Sequence, residues 1–176
     1  MVTPAGEPTV LVGPPGSGKS TIGRLLAERL SVSFRDIDAD IVTRAGKPIS
    51  DIFTDDGEAH FRAIEEETVA DALAEHDGVL ALGGGSVVSE RTRQRLAGHT
   101  VVFLNVGMAE GVRRTGMSSA RPLLAGVNPR ATYKALLEAR LPIYREVAVI
   151  EVDTDGQEPA QVVEALVGRL RDNGAK

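Results

Sequence analysis

Residues Gly13-Pro14-Pro15-Gly16-Ser17-Gly18-Lys19-Ser20-Thr21 fit the pattern G-x-x-x-x-G-K-[ST]. Glycines let a backbone curl into a concave nest of inward N–H groups, and a helix N-terminus behind it adds partial positive charge. Such a nest holds phosphate. Lys19 can reach the β- and γ-phosphates of a nucleoside triphosphate, and the Ser20 hydroxyl can ligate Mg²⁺. Gly16, Ser17, Gly18 and Thr21 complete the expected nucleotide-binding set, with a nucleoside triphosphate and Mg²⁺ as the cofactors. The motif requires a strand before it and a helix after it. The apolar run Thr9-Val10-Leu11-Val12 and the helical pattern Ile22–Leu30 supply both.

Other residues could share that chemistry. Asp36 and Asp38 stand two apart, which in an extended segment puts both carboxylates on one side. One could hold Mg²⁺ through water while the other faces an acceptor. Taken alone, Asp38 reads equally well as a helix N-cap and Asp36 as a solvated strand end. Gly83-Gly84-Gly85 permits positive φ and close backbone approach to a ligand, although a flexible turn would also explain it. The strand before it, Val79-Leu80-Ala81-Leu82, ends without an acid, so the metal's carboxylate is expected from Asp36. Arg62 has Glu65 three residues on, placed to orient its guanidinium, and Phe61 beside it as a core anchor. Arg121 and Arg140 are further forks suited to phosphate or carboxylate. Spacing alone does not select these three from 20 Lys and Arg, each of which reads by default as a solvated charge. His60, His76 and His99 lack metal-ligand spacing, and no serine sits in a nucleophile elbow.

The elements that must position these groups alternate. Strands are expected at Thr9–Val12, Ser33–Asp36, Val79–Leu82, Thr100–Asn105 and Val147–Asp153, each a short continuous run suited to a strand buried on both faces. Helices are expected near Lys19–Leu30, Asp38–Ala45, Glu58–Ala74, Glu90–Ala97, Ala109–Thr115 and Arg130–Arg145, with a kink at Pro142. A last helix runs from Pro159 to Arg171, with Gly174 past its end. This pattern implies a three-layer α/β fold with a mostly parallel sheet. Ligands bind beyond the carboxyl ends of such strands, where the residues above cluster. The stretch from Gly116 to Asn128 has little pattern and carries Arg121, so it reads as a lid.

Composition narrows the partners. A chain of 176 residues suits one domain, here 1–176, and 42% hydrophobic with 26% charged residues is ordinary for a globular protein. A net charge of −5 without a basic run argues against nucleic acid. Disulfides and thiolate metal sites are excluded because the sequence has no cysteine. No apolar run approaches the ~18 residues of a membrane span, and no leader pattern precedes the first strand. A cytoplasmic monomer acting on small molecules is expected.

Taken together, Gly13–Thr21, Asp36-Ile37-Asp38, Asp51-Ile52-Phe53, Gly57-Glu58 with Phe61-Arg62, Gly83-Gly84-Gly85, Arg121-Pro122-Leu123-Leu124 and Arg140-Leu141-Pro142-Ile143-Tyr144 resemble the shikimate kinase family, within the nucleoside-monophosphate-kinase-like P-loop proteins. The resemblance implies a P-loop NTPase fold with a five-stranded parallel sheet of order 2-3-1-4-5, flanked by helices. It implies phosphorylation of the 3-hydroxyl of shikimate by ATP, in aromatic amino-acid biosynthesis. An acceptor-binding segment would span about 38–66 and a lid about 116–128. Carried over, Asp38 would bind the ring hydroxyls and accept the proton. Arg62 and Arg140 would clamp the carboxylate, with backbone groups of Gly83 and Gly84 completing the pocket. Lys19 and Arg121 would neutralise the transferring phosphoryl group, and Ser20 would bind Mg²⁺ with Asp36 in its outer shell. Arg114 and Pro159 would flank the adenine.

One departure concerns the adenine loop. Where relatives often carry an arginine, this chain reads Asp155-Gly156-Gln157-Glu158, so any contact comes from Gln157 or the backbone, without positive charge. Three further readings compete. A sister kinase such as gluconate kinase would use Arg62 and Arg140 on another carboxylate. A GTPase switch would need an N-K-x-D element, which is absent, and a dead ATP-binding module would not keep Lys19, Ser20, Asp36, Asp38 and Arg121.

Overall fold

The computed structural model describes residues 7–115 and 129–174. Five strands form one parallel sheet: β1 (Thr9–Val12), β2 (Phe34–Asp36), β3 (Val79–Ala81), β4 (Thr100–Asn105) and β5 (Ile150–Asp153), in the order β2-β3-β1-β4-β5. Thr9 pairs with Val79 on one side and Thr100 on the other, so β1 is central. The chain turns one way from β1 to β2 and the other way to β4. The loop after β1 therefore opens at the point where strand order reverses, the ligand-binding crevice of an open α/β sheet.

Eight α-helices flank the sheet among the described residues: α1 (Lys19–Leu30), α2 (Ile37–Ala45), α3 (Ile49–Asp56), α4 (Glu58–Glu75), α5 (Glu90–Leu96), α6 (Met108–Thr115), α7 (Pro129–Val147) and α8 (Pro159–Gly174). The period-2 pleat divides the strands between two cores. Val10, Val12, Leu80, Val101 and Phe103 face a core closed by Ile37, Ile41, Ile52, Phe61, Val69 and Tyr144. Leu11, Val79, Val102 and Leu104 face the opposite one, where α1 offers Ile22 and Leu26, and α8 offers Val162, Val163, Leu166, Val167 and Leu170. The α8 residues recur at i, i+3 and i+4, the apolar stripe of a helix lying on a sheet. Both faces of the sheet are covered, which is why its strands read as continuous apolar runs. No helix among the described residues is long and apolar enough to cross a membrane.

Several local expectations need correction. Val147 ends α7 instead of opening β5, because the Ala148 N–H still donates to Tyr144 O at 3.1 Å and pairing with β4 starts only where Val149 N–H meets Val101 O at 2.9 Å. Packing overrides the strand preference of Val147. α3 was not expected at all. Gly46 and Pro48 just before it break the helical pattern and read as a loop, yet Ile52 is fully buried and Phe53 meets Phe61 edge-on at 4.8 Å. A single 3₁₀ turn at Ser86–Val88 was also missed, and Gly174 lies inside α8. α7 runs through Pro142 without interruption, although that residue cannot donate to Glu138 O. Other ends shift by a residue or two, as frayed termini do.

Candidate active site

The loop after β1 reaches α1 through two glycines in the left-handed region, Gly16 at φ 83° and Gly18 at φ 92°. Side-chain-bearing residues are strained there. Gly18 is also the N-cap of α1, so no side chain caps the first turn, and that turn holds no acidic residue. The helix thus presents its positive end to whatever the loop encloses. Lys19 folds back over the loop, donating to Gly13 O at 2.7 Å and Pro14 O at 3.0 Å. Ser17 is fully buried beneath it.

Asp36 closes β2 and caps α2. Its Oδ1 accepts the Asp38 N–H at 2.9 Å and its Oδ2 accepts the Ser20 hydroxyl at 2.6 Å. Asp38 therefore sits in the first turn of α2, not in an extended segment; the cap, rather than strand alternation, turns both carboxylates to one side. A cavity of about 240 Å³ is lined by Lys19, Ser20, Asp36, Asp38, Leu82 and Gly84, together with the P-loop. The phosphate nest and both acids thus share one space.

The three glycines after β3 serve crowding, not unusual dihedrals, since none of them has positive φ. A Cβ on Gly83 would lie 2.9 Å from Glu65 Oε2 and 3.0 Å from Asp38 Oδ1. One on Gly84 would meet Pro15 Cδ at 3.0 Å, and one on Gly85 would meet Arg62 Nη1 at 2.6 Å. The turn is pressed between the P-loop and the acid–arginine cluster. Glu65, only 3% exposed, accepts from Arg62 Nη1 at 2.8 Å and from Ser86 Oγ at 2.9 Å. Arg62 is held by that pair and by Phe61, whose ring centroid lies 5.2 Å from its guanidinium carbon.

Arg62 and Arg140 do not line the cavity itself. Both act on the buried Tyr144 phenol. Burial pushes that phenol up to about 12, while the two cations, Arg140 foremost, pull it the other way. The hydroxyl donates to Gly84 O at 2.5 Å, and the ring stacks on Phe103 at 5.1 Å.

A second cavity, of about 300 Å³, lies on the other side of the α1 N-terminus, sharing Gly18 and Thr21 with the first. Arg114, Thr154, Gln157 and Pro159 line it. Arg114 is tied at four points: Glu110 Oε1 at 2.9 Å, Gly16 O at 3.1 Å, Thr154 Oγ1 at 3.1 Å and Thr154 O at 3.2 Å. Hydrogen bonds from Arg113 and Arg114 hold the Glu110 carboxyl down at about 2. Gln157 turns back on its own loop, donating to Asp153 O at 2.7 Å. The positive charge missing from the loop Asp155–Glu158 is thus present across the cavity, on Arg114 of α6. Arg121 and the expected lid, 116–128, lie outside the described residues.

Among the described residues no group of three or more His, Cys, Asp or Glu could hold a metal ion. The pair Ser20 and Asp36 offers two hard oxygen donors beside the nest. That set is too small for a protein-only cage but fits Mg²⁺, which keeps several waters and takes its remaining ligands from phosphate. Sequence reading missed Thr154 and Glu110, which hold Arg114, and Ser86, which holds Glu65. Each acts across 21 or more positions or as an ordinary helix-surface acid, so no local spacing marks them. It also missed Tyr133, whose hydroxyl donates to Pro15 O at 2.7 Å across 118 positions.

The chain is similar to known proteins over most of its length. The shikimate kinase family model matches residues 15–171. A curated shikimate kinase of Saccharopolyspora erythraea is 70% identical over 161 residues, covering 92% of each chain. A shikimate kinase from Acinetobacter baumannii, solved in complex with shikimate, superposes with a TM-score of 0.93 at 34% identity, covering 97% of this chain and 96% of that one. A gluconokinase from Sinorhizobium meliloti reaches a TM-score of 0.59 at 23% identity over 97% of this chain and 95% of its own, a likeness of fold alone.

Proposed function

The chain belongs to the shikimate kinase family, and we propose that its two cavities divide that family's reaction, transfer of the γ-phosphoryl group of ATP to the 3-hydroxyl of shikimate. The nucleoside lies in the cavity of Arg114, Gln157 and Pro159, and the triphosphate runs past Gly16, Ser17, Gly18 and Thr21 into the cavity of Asp36 and Asp38. The carrying observation is that Lys19, Ser20, Asp36, Asp38 and Gly84 line one space at the positive end of α1.

Phosphoryl transfer requires alignment and charge neutralisation more than covalent work by the protein. Lys19 exchanges its loop carbonyls for β- and γ-phosphate oxygens, since both ask for the same three donors. Ser20 directly, and Asp36 from the outer shell, would hold Mg²⁺, which would supply neutralisation of the charge on the phosphates. Asp38 orients the acceptor hydroxyl and takes its proton. Arg62 and Arg140 bind the shikimate carboxylate, with Arg62 preset by Glu65, and the backbone at Gly83 and Gly84 closes the acceptor pocket. The acceptor segment is then 38–66. Arg121 is assigned to the transferring group on its R-P-L-L motif, and 116–128 to a lid that excludes water. A monomer in the cytoplasm, with no nucleic-acid or membrane partner, accords with a net charge of −5 and two cores enclosed within the chain.

A coupled ADP-release assay with shikimate or gluconate as acceptor tests this reading. Shikimate-dependent release is expected. Release that depends on gluconate and not on shikimate overturns it.

A further inference from the structure

α7 carries two tyrosines eleven positions apart, three helical turns, so they project from one side of the helix. Both are buried, Tyr133 at 1% and Tyr144 at 0% exposure. Tyr133 donates to Pro15 O in the P-loop at 2.7 Å, and Tyr144 donates to Gly84 O in the glycine turn at 2.5 Å. Those two loops touch, because a Cβ on Gly84 would fall 3.0 Å from Pro15 Cδ. One rigid element therefore grips the loop on the donor side and the loop on the acceptor side at the point where they meet.

We propose that α7 is a strut that sets the separation and tilt of the two loops, with Tyr133 and Tyr144 as its positioning residues. Neither phenol lines the cavity; each grips a peptide group, and Tyr144 also meets Arg140. A peptide is planar and trans, so its N–H points opposite to its carbonyl. Tying Pro15 O to Tyr133 aims the Gly16 N–H away from α7, and tying Gly84 O to Tyr144 does the same for Gly85. The slot for Tyr133 is kept open by Gly111 on α6, where a Cβ would lie 2.1 Å from the phenol oxygen. The stack of Tyr144 on Phe103 anchors the other end to β4. In-line transfer is sensitive to sub-ångström misplacement, which gives such a strut its use. The proposal rests on reading the P-loop as the donor side and the glycine turn as the acceptor side.

The test measures kcat and both KM values for Tyr133→Phe, Tyr144→Phe and the double variant, with urea melts alongside. Phenylalanine keeps the ring and its packing and removes only the hydroxyl, which at Tyr144 includes its contact with Arg140. We expect KM for ATP to rise in Tyr133→Phe, KM for shikimate to rise in Tyr144→Phe, and kcat to fall about tenfold in each. Because one strut links both loops, the double variant should lose less than the product of the single losses. Gly111→Ala must displace the Tyr133 phenol and should reproduce Tyr133→Phe. If Tyr144→Phe does not fold, Phe103→Leu, which loosens the ring without removing the hydroxyl, replaces it and should raise KM for shikimate. Wild-type kcat and KM values with a lowered melting midpoint overturn the proposal, since the tyrosines would then only stabilise. Strictly multiplicative losses in kcat overturn it too, leaving two independent anchors. Absence of shikimate-dependent turnover in the wild type removes the underlying functional reading instead.

Discussion

The Ser20 hydroxyl donates to Asp36 Oδ2 at 2.6 Å, joining the first turn of α1 to the cap of α2 across the mouth of the P-loop. The other oxygen of the same carboxylate accepts the Asp38 N–H at 2.9 Å. One side chain thus fixes both the proposed metal ligand and the position of the proposed proton acceptor.

Asp36→Asn should separate these two duties. The amide still accepts the Asp38 N–H, so cap loss should cost no more than about 1 kcal/mol. The charge facing Mg²⁺ is gone, and the Mg²⁺ concentration for half-maximal activity should rise about tenfold or more. A magnesium titration of turnover beside a urea melt measures both. An unchanged magnesium requirement would refute the metal role.

Asp38→Asn should lower kcat by roughly two to four orders of magnitude, the usual worth of a positioned general base. ATP binding, measured by calorimetry, should stay within about twofold of wild type. Near-normal turnover would restrict Asp38 to orienting the acceptor.

Arg62→Ala leaves the Glu65 carboxylate, 3% exposed, with Ser86 alone. Breaking a buried ion pair costs about 3–5 kcal/mol; Arg62 keeps 26% exposure of its side chain, so about 2 kcal/mol is expected here. KM for shikimate should rise together with this loss. Gly85→Ala should raise KM as well, because its Cβ would lie 2.6 Å from Arg62 Nη1 and must push the guanidinium aside. Steady-state kinetics and thermal melts of both variants check this, and a normal KM in Arg62→Ala would remove Arg62 from the carboxylate clamp.

Tyr144 makes stability depend on alkaline pH. Its folded-state value of about 12 lies above the ordinary 10, so between these the unfolded chain releases the proton first. Fewer protons bound to the unfolded state means that stability falls as pH rises. The contribution is fully present below pH 10 and is lost as pH climbs towards 12, about 3 kcal/mol in all. Urea melts from pH 9 to 12 should show the decline, and Tyr144→Phe should flatten that part of it.

Arg121→Ala should reduce kcat by about 10³-fold while KM for shikimate changes little, as expected of a cation that meets charge developing in transfer. Wild-type turnover in that variant would withdraw Arg121 from the mechanism.

Much of the site was legible along the chain because its parts are local. A P-loop is nine consecutive residues, Asp36 and Asp38 are two apart, and Arg62 and Glu65 are one helical turn apart. The strand order was expected only by resemblance, while the alternation of elements and the apolar runs of a doubly covered sheet were read directly. α3 escaped because Gly46 and Pro48 just before it read as a loop, and Val147 misled because its branched side chain favours strand while α7 packing holds it in helix.

The sequence by itself determined that this chain encloses a triphosphate beside a pair of acids, since those requirements are met by residue types at short spacing. Tertiary structure decided why the three glycines after β3 are glycines. They make room for Glu65, Pro15 and Arg62, contacts that no dihedral preference predicts. It also decided that Arg114 is clamped by Thr154 and that Pro15 and Gly84 are gripped by one helix. Those links join residues 40 to 118 positions apart. Only packing brings them within hydrogen-bond reach, because nothing in local spacing constrains groups that far apart in the chain.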